Sequence, residues 1–170
     1  LSPDARTPRE EWLALEGFLD EAVEAQVDAI QIREPDAESG QLSACAAALV
    51  RRAAGSGVRV LVNDRADVAL VAGAHGVHLP ARGLPSARVR GLMPGAIIGR
   101  SMHRDDTVDS AALDYLLFGT VFASESKPGL EAAGVGALAR AVARSTRPVL
   151  AVGGVTPART GACLDAGASG

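Results

Sequence analysis

The sequence predicts an α/β fold: a TIM (β/α)8 barrel, truncated at both ends, with six strands visible. Three observations predict it. Strand-like and helix-like segments alternate from Val27 to Ala166, which demands parallel strands joined by helical crossovers. The chain opens on a helical segment that no strand precedes and closes at Asp165-Ala-Gly-Ala-Ser-Gly170, where another strand is due. Six strands and two missing ends make the eight of a barrel. Strand parity is the third observation: Ile30 and Ile32 oppose Gln31 and Arg33, Val60 and Val62 oppose Leu61 and Asn63, and Val77 and Leu79 oppose Gly76 and His78. One face is aliphatic and suits a layer of helices. The other turns polar toward each carboxyl end, where barrels keep their sites. A doubly wound sheet is the rival, because alternation by itself does not prove closure.

The elements follow in order. Residues 8–25 place Trp12, Leu15, Leu19, Ala22 and Val23 at helical spacing among acids, an amphipathic helix. Val27 to Arg33 is a strand, and Gly40 to Ala54 a helix stopped by Gly55-Ser56-Gly57. Val58 to Asn63 is a strand, Arg65 to Val71 a short helix, and Gly76 to Leu79 a strand. After a turn at Gly83, Pro85 to Leu92 is a helix; Ala96 to Ser101 is a strand, and Asp105 to Ala112 a helix. Tyr115 to Gly119 is a strand, Val135 to Ala143 a helix, Pro148 to Val152 a strand, and Pro157 to Ala166 the last helix. The 170 residues form one domain, long enough for a substantial core.

Composition excludes several function classes. Seventeen basic against 20 acidic residues argue against a broad nucleic-acid or anionic-membrane surface, while permitting a local basic pocket. An aromatic content of 3% leaves no stacking platform for single-stranded nucleic acid. No apolar run approaches a membrane span, and there is no signal peptide. Cys45 and Cys163 lie far apart in alanine-rich helical patterns, reading as buried reduced thiols of a cytoplasmic protein.

The candidate chemistry collects at strand ends. The strand through Phe118 opens at Gly119 into a polar loop with Thr120, Ser124, Ser126 and Lys127, closed by Gly129. Hydroxyls, one lysine and a glycine suit a phosphate. Gly153-Gly154 follows the next strand and can offer backbone N–H groups to the same anion. Counting the missing first strand, that turn follows strand seven, a common phosphate position in barrels. The competing readings are a solvated lysine and a plain helix-entry turn. Arg33 is either an anion clamp, sharing the parity of Gln31, or a surface ion pair with Glu34. Asn63-Asp64 is either a helix cap or an oxygen ligand for Mg2+. His75 and His78 fall on opposite faces of a strand, which disfavours a metal pair. His78 is a pocket residue or a satisfied core histidine. Ser101 and His103 follow a strand end, and His103 suits a general acid/base near neutral pH.

Six segments occur in a fixed order: Gln31-Ile-Arg-Glu34, Val62-Asn-Asp-Arg-Ala-Asp67, Gly76-Val-His-Leu79, Ile98-Gly-Arg-Ser-Met-His103, Phe118-Gly-Thr-Val-Phe122 and Ala151-Val-Gly-Gly-Val-Thr-Pro157. Together they resemble the thiamine phosphate synthase/TenI family across nearly the whole chain. The resemblance implies a TIM barrel, a thiamin-pathway role and a homodimer as a common assembly. In the synthase branch a pyrimidine diphosphate is joined to thiazole phosphate with Mg2+ and pyrophosphate is released. The resemblance carries that diphosphate site to Gln31, Arg33, Asn63, Asp64, Ser101 and Lys127. Two parts of the synthase pattern are missing: a lysine, where this chain has Pro35, and a second Mg2+-binding aspartate, where it reads Pro80-Ala-Arg-Gly83. The TenI branch isomerises thiazole carboxylate phosphate without Mg2+, and Leu117-Phe-Gly-x-Val-Phe with Lys127-x-Gly-Leu-Glu looks closest to it. A catalytic histidine of that branch is replaced by Thr120, whose hydroxyl cannot titrate near neutral pH.

The sequence is therefore read first as a TenI-type thiazole phosphate tautomerase needing no cofactor. Lys127, Ser126, Gly153 and Gly154 hold the phosphate, Arg33 meets the carboxylate, and His103 or His78 moves the proton. The alternatives are a divergent synthase with Asp64 on Mg2+, or a non-catalytic binder or regulator. The partner is a small phosphorylated thiazole, with no nucleic acid and no membrane.

Overall fold

The computed structural model describes residues 17–104, 106–123 and 131–170. They fall into two units, one ending at Val77 and the other running from His78 to Gly170. Helix α1 covers residues 17–24 of the first unit. It is followed by β1 (Ala29–Ile32), α2 (Ser39–Arg52), β2 (Arg59–Asn63) and α3 (Ala66–Ala72). Strand β3 (Gly76–Leu79) begins there and ends in the second unit. The second unit continues with α4 (Ser86–Leu92), β4 (Ile97–Met102), β5 (Tyr115–Phe118), α5 (Val135–Arg144), β6 (Val149–Ala151) and α6 (Pro157–Asp165).

In the first unit β1 and β2 pair in parallel, Ala29 opposite Arg59 through Ile32 opposite Val62. Helix α2 turns Leu42, Cys45, Ala46 and Leu49 inward at helical spacing, packing on α3 and β2. Val60, Val62 and Ala69 are fully enclosed in this core. Gly73 ends α3 in the left-handed region (φ 66°), a conformation that favours glycine. His75 then bonds Val60 twice: its N–H donates to the Val60 carbonyl and its Nδ1 accepts the Val60 N–H, each at 2.9 Å. That makes His75 a structural ladder residue.

In the second unit β4 pairs in parallel with β5, and β5 with β6. Phe118, Ile98, Leu113 and Leu138 are sealed in its core, with Val121 beside them at full burial. Asp114 fixes where β5 begins: its Oδ2 accepts both the Ile98 N–H and the Arg90 guanidinium, each at 2.7 Å. Within each unit the strands neighbour one another in chain order. Neither unit shows the reversal of order that marks a doubly wound sheet.

One expected element is not formed. Residues 106–110 carry no regular structure where Asp105 to Ala112 was expected to be helical. Acids there close local turns instead: Asp106 Oδ2 accepts the His103 N–H at 2.7 Å, and Asp109 Oδ1 accepts the Ala111 N–H at 3.0 Å. Short acidic side chains compete in this way with helical hydrogen bonding. Arg147 secures the result, donating to the Ser110 and Ala111 carbonyls.

Candidate functional site

Among the described residues of the second unit, His78 near the end of β3 is the most deeply buried of the polar side chains (1% exposed). Its Nε2 lies 2.8 Å from Ser101 Oγ and its Nδ1 2.9 Å from the Tyr115 hydroxyl. The Tyr115 ring reaches His78 by crossing Gly99, its register partner on the intervening strand; a Cβ on Gly99 would overlap that ring. The two rings stack with centroids 5.6 Å apart. Burial, then the Arg100 charge, lowers the His78 pKa to about 4, and burial raises that of Tyr115 to about 12. Both are therefore neutral near pH 7. Ser101 is half-buried.

Arg100 is also buried, and its guanidinium donates to three carbonyls of the turn after β3: Pro80, Ala81 and Leu84. Burial lowers its pKa. It works as a staple for that turn, which itself contains Arg82 and no carboxylate.

His103, just past β4, is exposed, and its Nδ1 sits 2.6 Å from the Gly119 carbonyl. A carbonyl only accepts, so Nδ1 carries the proton and Nε2 is left as an available base. The loop after β5 is clasped to the turn after β6. Val121 donates to the Val152 carbonyl and Phe122 to that of Gly153, each at 2.9 Å. Gly153 (φ 93°) and Gly154 (φ 62°) both lie in the left-handed region. A Cβ on Gly153 would come within 2.8 Å of Thr120 Cα, and one on Gly154 within 2.8 Å of the Phe122 carbonyl. Arg159 locks the far side, donating to the Gly154 carbonyl at 2.7 Å and lying 4.9 Å over the Phe122 ring. Among the described residues nothing accepts the N–H of Gly153, Gly154 or Val155. Thr120, Gly153 and Gly154 are thus brought together. Ser124, Ser126 and Lys127 lie outside the described residues.

In the first unit Gln31 Nε2 donates to Asn63 Oδ1 at 3.0 Å, joining the ends of β1 and β2. Asp64 has a positive φ of 62° and is exposed, and no side chain caps α3, so the helix-cap reading of Asn63-Asp64 is set aside. Arg65 turns away to Asp67 and Ser39. Arg33 is exposed and, among the described residues, forms no ion pair with Glu34.

Magnesium is commonly held through one or two carboxylates with substrate phosphates completing the shell. In the first unit the end of β2 offers the Asp64 carboxylate, with Asp67 already held by Arg65; in the second unit the turn after β3 holds an arginine and carbonyls already engaged by Arg100. The described residues contain no group of three His, Cys, Asp or Glu suited to a metal. Neither of these two strand ends, taken by itself, offers two available carboxylates for magnesium.

Sequence reasoning missed Tyr115, which reads as an ordinary strand start, and Arg100. A signal for the first existed: a glycine inside a strand, as at Gly99, marks a close approach by another group.

The family model described as thiamine monophosphate synthase matches residues 7–170. The chain belongs to the thiamine monophosphate synthase/TenI family. Within that family it is 40% identical to a thiamine-phosphate synthase of Deinococcus radiodurans over 161 residues, 89% of this chain and 57% of that one. It is 36% identical to a thiamine-phosphate synthase of Mycobacterium sp. (strain KMS) over 182 residues, 99% of this chain and 79% of that one. The chain spans between 33% and 79% of the length of these relatives and a Synechococcus thiamine-phosphate synthase. The solved thiamine phosphate pyrophosphorylase of Pyrococcus furiosus matches with a TM-score of 0.78 at 27% identity, covering 90% of this chain and 75% of that one. The α/β barrel class expected from the sequence therefore holds for this family member. These relatives carry the synthase name, which weighs toward the synthase alternative and against the tautomerase reading preferred from sequence. Among the described residues no helix is long and apolar enough to cross a membrane.

Proposed function

We propose that the chain acts in thiamin biosynthesis as a thiamine-phosphate synthase-type transferase, joining a phosphorylated thiazole to a pyrimidine diphosphate with release of pyrophosphate. The observation that carries this is the run of anion donors in the second unit. Ser101 near the end of β4, the loop head at Thr120 after β5, and the Gly153-Gly154 N–H groups after β6, which have no acceptor among the described residues, belong to consecutive strands. The identity with named synthases supports the choice of transferase over other phosphate chemistry. As the pyrimidine–oxygen bond breaks, negative charge grows on the departing diphosphate, and fixed donors favour that state over the ground state. Ser101 and Lys127 serve the diphosphate in this reading. Thr120, Ser124, Ser126, Gly153 and Gly154 serve the thiazole phosphate.

A tautomerase is the second reading, favoured by the missing carboxylate between Pro80 and Leu84 and by the available Nε2 of His103. Its base would take a proton from the thiazole ring and return it one position along. One assay separates the two. The purified protein is given thiazole phosphate and pyrimidine diphosphate, with and without Mg2+, and in parallel thiazole carboxylate phosphate by itself. Pyrophosphate release that depends on both substrates supports the transferase. Isomerisation of the carboxylate with no pyrophosphate released would overturn it in favour of the tautomerase.

A further inference from the structure

We propose that Tyr115 and His78 form a one-way hydrogen-bond relay that makes the Ser101 hydroxyl an obligate donor to a phosphoryl oxygen of the ligand. This deepens the proposed function and rests on Ser101 being one of its anion contacts. A neutral imidazole has one nitrogen that donates and one that accepts, so the chain Tyr115–His78–Ser101 can run in only two directions. If Nδ1 carried the proton it would donate to the phenol oxygen, and the phenol hydrogen would need another acceptor. Among the described residues His78 is the only side chain or carbonyl bonded to the Tyr115 hydroxyl. The direction that satisfies every group from within the described protein, without calling on solvent at the half-buried phenol, has Tyr115 O–H donating to Nδ1 and Nε2–H donating to Ser101 Oγ.

Two consequences follow for Ser101. Its oxygen is occupied as an acceptor, so its own hydrogen points away from His78 and is free for an incoming anion. It is also not activated as a nucleophile, because Nε2 already holds a proton and cannot take the serine's. Loading a second proton on His78 is opposed by its burial and by the Arg100 charge. The imidazole itself is sealed from solvent, while Ser101 at one end of the relay and Tyr115 at the other are both half-buried, so a ligand meets the relay at a hydroxyl and not at the ring. Gly99 is part of the device, since any larger residue would block the path of the Tyr115 ring. Tyr115 is thus a positioning residue acting through His78.

The test has a spectroscopic and a binding arm. Nitrogen-15 spectroscopy of the purified protein near neutral pH is expected to show His78 as the Nε2–H tautomer. In Tyr115→Phe that single tautomer is expected to give way to a mixture. Affinity for inorganic pyrophosphate is expected to fall about tenfold in Ser101→Ala, equal to ~1.4 kcal/mol, and by a comparable factor in Tyr115→Phe. The double variant is expected to bind no more weakly than Ser101→Ala, as for groups acting in series. An Nδ1–H tautomer in the unmodified protein overturns the relay and needs no variant to be folded. So does an unchanged affinity in Tyr115→Phe alongside a weakened Ser101→Ala. If Ser101→Ala binds pyrophosphate normally while the tautomer is Nε2–H, it is the assignment of Ser101 as an anion contact that falls, and the donor role with it.

Discussion

Gly99 shows how much one missing side chain decides, because the empty space above it is where the Tyr115 ring runs to His78. Gly99→Ala is expected to displace the ring and cost about 1–3 kcal/mol, the usual range for overpacking, read from urea midpoints. An unshifted midpoint would argue that the ring is not seated there. His78 makes a pH prediction. Its folded pKa of about 4 lies below the ordinary value of 6.5, so the folded state binds fewer protons than the unfolded chain. Its neutral form therefore carries a stability contribution that is complete above about pH 6.5 and is lost as pH falls toward 4, on the order of 3 kcal/mol. The groups facing it are Arg100 and Ser101 on β4 and Tyr115 on β5. His75 is also shifted down by burial and adds a slope of the same sign, so the comparison to make is wild type against His78→Gln. The variant should lose stability less steeply between those two pH values; equal slopes would exclude His78 as the source.

Among the elements, the turn after β3 depends on its neighbour strand. Arg100 of β4 satisfies three of its carbonyls from a buried position. Arg100→Met keeps much of the apolar stem but strands those acceptors, at a cost of about 1–3 kcal/mol. Amide hydrogen exchange should quicken at Ala81 to Leu84 more than elsewhere, and uniform exchange across the second unit would contradict the staple. The stretch after β4 carries a different lesson. Its acids make residues 105–112 look like a helix start, but Asp106 and Asp109 spend their oxygens on local turns. Capping chemistry and turn chemistry use the same residue types, so the pattern by itself did not separate them.

For the whole molecule the proposed site is a claim about linkage. A ligand that binds only the folded state stabilises it by about 2.7 kcal/mol at a hundred times its dissociation constant. Inorganic pyrophosphate and the phosphorylated thiazole are each expected to raise the unfolding midpoint accordingly, while the same concentration of sulfate-free salt is expected not to. A protein whose midpoint ignores both ligands does not hold this site. Much of the arrangement was legible in advance. The segments around Gln31, Asn63, Ser101 and Gly153 stood at strand ends, and strand ends did receive them. The partner of His78 was not legible, since neither Ser101 nor Tyr115 is near it in the chain.

Sequence by itself determined the strand–helix alternation, the polar turn of the strand ends and the glycine pair, because each is set by local periodicity or by backbone freedom. The family membership was equally readable in its six ordered segments. Tertiary structure alone decided which of two histidines joins Ser101. Those hydrogen bonds span 23 and 37 residues of chain and exist only because β3, β4 and β5 lie side by side with a glycine in the middle strand. Register between strands is a property of the packed sheet, and no window of sequence contains it.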